Sequence, residues 1–208
     1  RLLLQLDQEP ADKPLSRLLA VDCTTGKTLW EVPRDAPSSW STPLPVHTGE
    51  RDELVTCAGD WVISYSPETG RELWRAKCLG GEVVPSATFA GGLVVAAIQG
   101  AACAAIRPGG EGDVTAERVA WTYADDLPEV CSPVVTPAGV VLLASDGTAT
   151  CLQASTGKPL WRRALGEACS ASPIARGDRV FVVSELGNLH VLDAANGGAV
   201  LARRELPE

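Results

Sequence analysis

The sequence predicts an all-β fold assembled from repeated units, and three observations carry that expectation. A signature, Thr25-Gly26-x-x-x-Trp30, returns as Thr69-Gly70-x-x-x-Trp74 and Thr156-Gly157-x-x-x-Trp161, with a weaker copy at Asn196-Gly197 ending on Leu201 and a diverged copy ending on Trp121. The intervals between those terminal residues are 44, 47, 40 and 40, a period that marks a repeat architecture. Between the signatures lie short β-rich runs separated by Gly, Asp, Asn and Pro turns, and no segment holds a 3.6-residue apolar period. Four antiparallel strands in about 40 residues make one blade of a β-propeller.

Taken in order, the chain opens on Leu2-Leu3-Leu4-Gln5-Leu6, which reads as the second strand of a blade. A polar loop over residues 8–13 leads to Leu18-Leu19-Ala20-Val21-Asp22 and then to the first signature. The first strand of that blade is missing. Four full blades follow, at about 41–77, 84–124, 131–165 and 171–206, after the partial blade at 1–34, in a single domain over 1–208. The clearest repeat runs Ser132-Pro133-Val134-Val135, a turn at Pro137-Ala138-Gly139, Val140-Val141-Leu142-Leu143-Ala144, a turn at Asp146-Gly147, Thr148-Ala149-Thr150-Cys151-Leu152, and the signature. Asp22 stands where its carboxylate can accept backbone N–H bonds of the turn, and Gly26 where φ must be positive. Ser66, Gln153 and Asp193 stand at the equivalent of Asp22. Four and three-quarter blades are expected to be completed by a further segment or by another chain, because open ends expose strand edges.

Composition narrows the function classes. The formal net charge is −8 over 208 residues, which argues against a nucleic-acid partner that needs a basic patch. No run of 18 apolar residues is present, so no transmembrane helix is expected. Cys23, Cys57, Cys78, Cys103, Cys131, Cys151 and Cys169 form no C-x-x-C pair and have no His at ligand spacing, so no zinc site is expected. Cys57, Cys103 and Cys151 read as small buried residues of strands. Cys78 and Cys131 fall in connections between repeats and Cys169 just after one, where a disulfide pairing stays open.

The string Leu19-Ala20-Val21-Asp22-x-x-Thr25-Gly26-Lys27-x-Leu29-Trp30, with Thr156-Gly157-Lys158-x-Leu160-Trp161, resembles the PQQ-like repeat propellers. That family includes quinoprotein dehydrogenases and the BamB-like propeller of the outer-membrane assembly machinery, which binds no quinone. The resemblance implies that the visible blades belong to a seven- or eight-bladed ring and that the repeat Trp packs between adjacent blades, a role that falls on Trp30, Trp74, Trp121 and Trp161, with Leu201 as a weaker substitute. It also implies an extracytoplasmic place, in the periplasm or cell envelope. The quinone-binding members carry adjacent cysteines and a Glu/Asn calcium set with an Asp base. No two cysteines here are adjacent, and no carboxylate matches that Asp, so neither PQQ nor calcium is expected.

The remaining motifs are weak. Arg176-Gly177-Asp178 spells an integrin-type tripeptide but falls on the first hairpin turn of its repeat, where Gly-Asp is an ordinary pair. His47 and His190 have no Ser or Cys nucleophile beside them. Gly80-Gly81 and Gly109-Gly110 lack the Lys and Ser/Thr of a phosphate loop. Trp40, in Ser38-Ser39-Trp40-Ser41-Thr42-Pro43, precedes an innermost strand where no other repeat has an aromatic; it reads either as local packing or as a platform at the channel mouth for a peptide or sugar. The expected function is a non-catalytic, BamB-like protein-interaction scaffold. The alternatives are a quinoprotein dehydrogenase-type oxidoreductase and a carbohydrate-binding propeller.

Overall fold

The computed structural model describes residues 1–8 and 16–207; the polar loop expected at residues 8–13 lies, beyond Gln8, outside the described residues. The chain folds into five sheets in sequence order, the blades of a β-propeller. The first holds β1 (Leu2–Leu6), β2 (Arg17–Val21) and β3 (Thr28–Pro33). The second holds β4 (Leu44–His47), β5 (Asp52–Ala58), β6 (Trp61–Tyr65) and β7 (Glu72–Lys77). The third holds β8 (Thr88–Ala90), β9 (Leu93–Ala97), β10 (Cys103–Ile106) and, after the short β11 (Gly112–Asp113) and the one-turn helix α1 (Thr115–Arg118), β12 (Val119–Tyr123). The fourth holds β13 (Val134–Thr136), β14 (Gly139–Leu143), β15 (Thr148–Leu152) and β16 (Pro159–Ala164). The fifth holds β17 (Ile174–Arg176), β18 (Arg179–Val183), β19 (Asn188–Asp193) and β20 (Ala199–Glu205).

The strands of each blade pair antiparallel in sequence order, through tight turns in the fourth blade and through the longer 107–118 segment between β10 and β12. The two middle strands of a four-stranded blade are the most buried. Leu-Val-Val-Ala-Ala in β9 and Gly-Val-Val-Leu-Leu in β14 are covered along their whole length, as near-continuous apolar runs are when both sheet faces are packed. The core is accordingly divided into layers between neighbouring sheets. One apolar cluster joins the first and second, another the second and third, another the third and fourth, and another the fourth and fifth.

A bulge recurs between the third and fourth strands of every sheet, just after Ala20, Ser64, Ala105, Cys151 and Val191. The residue opposite the last pre-bulge position is Trp30, Trp74, Trp121 or Trp161 in the first four sheets. The large ring thus always faces a small partner strand residue. In the fifth sheet that position belongs to Ala202, and Leu201 is the bulged residue. The expectation that Leu201 replaces the Trp is corrected. The turn before β20 carries one more residue, Gly198 at φ 66°, and this slips the register by one.

Three of the four Trp rings are fastened to the next blade in one way. Trp30, Trp121 and Trp161 donate their indole N–H to the carbonyls of Pro67, Ala154 and Ala194, at 3.2, 2.9 and 2.8 Å. Each ring lies flat on the glycine of that blade's last turn, so a Cβ added at Gly70, Gly157 or Gly198 would meet it at 2.5–2.8 Å. Trp74 departs from this. The signature turn of the third blade is replaced by the segment 108–117, whose β11 pairs parallel with β7, Gly112 opposite Trp74, so the second sheet has five strands rather than four. Trp74 is wholly enclosed and donates instead to Glu53 Oε2 of its own blade at 2.7 Å. Trp74 and Trp121 are buried, and Trp30 and Trp161 part-buried.

Two glycines with the same backbone separate these effects. Gly26 and Gly157 both sit at φ 70°, but a Cβ at Gly26 meets nothing within 4 Å while one at Gly157 meets Trp121 at 2.5 Å. Gly26→Ala is therefore expected to cost about 1 kcal/mol of backbone strain, and Gly157→Ala about 1–3 kcal/mol more from overpacking. Trp121→Ala should cost about 3–5 kcal/mol. Urea denaturation of the three variants checks this; equal losses for the two glycine variants would exclude the ring-on-glycine contact.

Candidate functional site

The meander gives each blade two unlike ends. First and third turns lie at one end, with the signature turns; second turns lie at the other, with the connections that pass to the next blade. The Trp rings of the first, third and fourth blades are anchored at the signature-turn end. Asp22 there accepts the N–H groups of Thr24 and Thr25 at 2.9 and 2.7 Å, and these bonds, with that of the Thr25 hydroxyl, hold its carboxyl below the usual range.

The connection end holds the candidate site. Its inner rim is a belt of hydroxyls at the start of successive innermost strands. Thr42 donates its backbone N–H to Ser86 Oγ at 2.8 Å, Ser86 to Ser132 Oγ at 3.0 Å, and Ser132 to Ser172 Oγ at 2.9 Å. Two residues before the belt stands Trp40, 61% exposed. Its segment is held by backbone rather than by its ring: Trp40 N–H donates to Val83 O at 3.0 Å, and Ser41 Oγ to Cys57 O at 3.2 Å. A fixed backbone with a free indole is the arrangement of a contact residue.

Beside the belt a cleft of about 450 Å³ opens between the second turns of the third and fourth blades, lined by Gln99, Leu127, Ser145 and the carboxylates Asp126 and Asp146. No basic side chain lines it. Asp126 has φ 44°, the sole positive value for a non-glycine among the described residues, a strain of about 1–3 kcal/mol. It is held there by Arg162, whose Nε and Nη2 donate to its two oxygens at 2.6 and 2.9 Å, and by Thr150 Oγ1 at 3.3 Å. That fork from Arg162 keeps its carboxyl below the usual range.

The same device recurs one blade later. Glu167, in the connection into the fifth blade, accepts from Asn188 Nδ2 at 3.2 Å, from His190 Nε2 at 3.2 Å and from Arg203. In both blades the acid lies 36 residues before the Arg, and the Arg follows the Trp position directly. That dipeptide, Trp161-Arg162 with Ala202-Arg203, is the signal that sequence reading missed. It also missed the hydroxyl belt, although Thr42-Pro43, Ser132-Pro133 and Ser172-Pro173 were visible. His190, solitary in sequence, is a buried partner of Glu167, and His47 pairs with Asp52 at 2.7 Å on an exposed strand. Asp178 of the integrin-type tripeptide accepts Ala138 N–H at 3.0 Å, so its carboxylate already joins two blades. All seven cysteines are free. Burial pushes the thiols of Cys57, Cys78, Cys103 and Cys151 up to about 12, far from a nucleophilic thiolate. No helix is long and apolar enough to cross a membrane among the described residues.

Comparison with known proteins places this geometry. The family model described as outer membrane protein assembly factor BamB matches residues 15–130 and 111–201. BamB from Moraxella catarrhalis superposes with a TM-score of 0.71 at 16% identity, over 91% of this chain and 58% of that one. Sqt1 of Saccharomyces cerevisiae gives 0.69 at 12% identity, over 90% of this chain and 54% of that one. The quinohemoprotein alcohol dehydrogenase ADHIIG of Pseudomonas putida HK5 gives 0.61 at 13% identity, over 81% of this chain and 34% of that one. The chain thus spans little more than half the length of the first two. No curated protein sequence matches it.

The Glu167 cluster predicts a pH dependence. Hydrogen bonds from Ser184, then His190 and Asn188, with the charge of Arg203, outweigh burial and hold its carboxyl at about 2. A group depressed on folding stabilises above its unfolded value, about 4.3, and that contribution is lost as pH falls from there towards 2. Glu167→Gln should flatten the fall in urea midpoint between pH 4.5 and 2; an unchanged slope would exclude the cluster.

Proposed function

The chain belongs to the PQQ-like repeat propeller family of the outer-membrane assembly factor BamB, and from that premise we propose that it is a non-catalytic protein-interaction scaffold of the cell envelope. The observation that carries the reading is Trp40: a Trp left 61% exposed on a backbone pinned to the next blade, at the end where the connections gather. Exposed Trp residues of this kind anchor protein interfaces. The cleft at the same end, between the third and fourth blades, adds acceptors without a basic side chain, and the chain carries a net charge of −8. A partner surface that is neutral or basic fits both. The envelope location is supported by the family alone.

The oxidoreductase reading asks for a quinone seated with a calcium ion. Among the described residues no three His, Cys, Asp or Glu side chains converge on a metal position, and the cysteines are separate along the chain. These residues do not fit that group.

Two measurements test the proposal. Trp40→Ala should leave the melting temperature within about 2 °C of the parent, as surface substitutions do, while abolishing retention of the partner recovered from envelope extract on the immobilised chain. Retention unchanged by Trp40→Ala would remove this surface from consideration. Calorimetric titration with calcium and pyrroloquinoline quinone should be silent; stoichiometric micromolar binding with dye-linked alcohol oxidation would overturn the non-catalytic reading.

A further inference from the structure

The two ends of the blades differ in charge. The connections between blades (34–43, 78–87, 124–133 and 165–173) and the second turns of the four complete blades (59–60, 98–102, 144–147 and 184–187) hold nine carboxylates and one basic residue, Arg34. The first and third turns, at the signature-turn end, hold seven carboxylates and six basic residues. The basic side chains that reach the connection end are each taken by an acid. Arg34 is enclosed against Asp7, Lys77 pairs with Asp60 at 3.1 Å, Arg162 with Asp126, and Arg203 with Glu167. Asp35, Glu82, Asp125, Glu129 and Asp146 stand exposed there, with no basic partner among the described residues.

Charge alone does not make a site, but one of these five acids has an aromatic neighbour. Trp40 N–H donates to Val83 O at 3.0 Å, and Ser39 Oγ donates to the same oxygen at 3.2 Å. The segment carrying Trp40 is thereby fixed beside the residue that follows Glu82. Both side chains at this junction are exposed, the Trp40 ring at 61%. An indole face attracts a cation, and a carboxylate beside it can bond the same group with charge assistance. A guanidinium is planar and weakly hydrated, so it can stack and be forked at once; an ammonium is a compact, strongly hydrated point charge. The second blade already contains that arrangement. The Arg75 guanidinium lies over the Trp61 ring, 5.2 Å from its centroid, while its Nε and Nη2 donate to the two Glu72 oxygens at 2.7 Å. Trp40 and Glu82 repeat the ring and the acid without the arginine.

Building on the scaffold reading, we propose that Trp40 and Glu82 form a docking site for an arginine side chain on an extended, basic segment of the partner. The guanidinium lies on the Trp40 ring and is forked by Glu82, as Arg75 is placed by Trp61 and Glu72. The other free carboxylates serve further basic residues of the same segment. Asp35 lies five residues before Trp40 in the same connection, and Asp125, Glu129 and Asp146 follow at the next two blades. This spread along the arc rewards several cations on one chain rather than a single small one. The same carboxylates repel an acidic partner surface.

The probe is an N-acetylated, C-amidated octapeptide of alternating Arg and Gly, titrated calorimetrically into the 208-residue chain at about 50 mM salt, where surface charges are weakly screened. Binding is expected with a Kd at or below about 1 mM, and about threefold weaker for the Lys-Gly counterpart. Trp40→Ala and Glu82→Gln should each weaken the Arg peptide about threefold. Because both side chains hold one guanidinium, the double variant should be little weaker than either single one. Glu50→Gln, at the signature-turn end, makes the same change in net charge and should leave binding unchanged. All three positions are exposed, so the fold is not at stake in these variants. No binding at about 1 mM peptide would overturn the proposal. So would equal losses for Glu82→Gln and Glu50→Gln, or losses from Trp40→Ala and Glu82→Gln that multiply in the double variant, since either would reduce the site to general attraction. No envelope extract enters this titration, so a silent result here and a partner not retained there are separate failures.

Discussion

The Trp ring laid on the next blade's turn is the contact from which the other features follow. In a stack of repeats each unit meets only its neighbours, so one interface geometry has to be satisfied again and again. The ring needs an open floor, which only a glycine provides, since a Cβ there would meet the ring at 2.5–2.8 Å. The indole N–H needs an acceptor, which the turn carbonyl supplies. The partner strand must carry something small opposite the ring, and it carries Ala20, Ser64, Ala105 or Cys151. Even the bulge belongs to this set, because it fixes which residue of the fourth strand faces the interface.

The two departures show the same constraint from outside. Where the third blade has no signature turn, the floor beneath Trp74 is missing, and the 108–117 segment comes back as β11 to cover it. The indole donor still needs a partner, so a carboxylate is buried for it: Glu53 takes Trp74 at 2.7 Å, Ser64 at 3.0 Å and Arg51 at 2.9 Å. Burying a carboxylate is costly unless it is paired and hydrogen-bonded, and Glu53 is both. In the fifth blade the extra Gly198 moves Ala202 to the Trp position, so the last described face carries no ring, and Ile174 and Leu186 stand exposed beside it.

The repeat, the four-strand plan and the incomplete first blade were legible in sequence because each is a local pattern: a turn glycine, an alternation of apolar runs, a spacing. Trp40 was legible as an exception to that pattern. What escaped were contacts between residues far apart in sequence and unremarkable alone. Asp126 and Glu167 look like ordinary loop acids, and only folding brings them to Arg162 and Arg203. Leu201 was misplaced because a count along the chain cannot see that a turn has absorbed one residue. The β11 strand was invisible since two residues of a Gly-rich loop have no strand signature of their own.

The Trp-on-glycine contact is the same at three of the four interfaces, so it cannot by itself say which of those blades follows which. The polar groups at the connection end differ, and they can. Between the first and second blades Arg34, fully enclosed, donates to Asp7 at 2.6 Å and to Thr56 at 2.9 Å. Between the third and fourth Asp126 meets Arg162 and Thr150, and between the fourth and fifth Glu167 meets Arg203 and His190. Between the second and third the polar contact lies instead at the signature-turn end, where Arg51 reaches Gly110 O at 2.8 Å. A wrong neighbour would satisfy the ring and leave the enclosed Arg34 or Glu167 without its partner, a penalty of about 3–5 kcal/mol for a buried charge. Apolar packing thus gives the stack its cohesion, and charges placed at the opposite end give it its order. That end is then the one held in a single arrangement, which is what a surface carrying Trp40 and the acceptor-lined cleft requires.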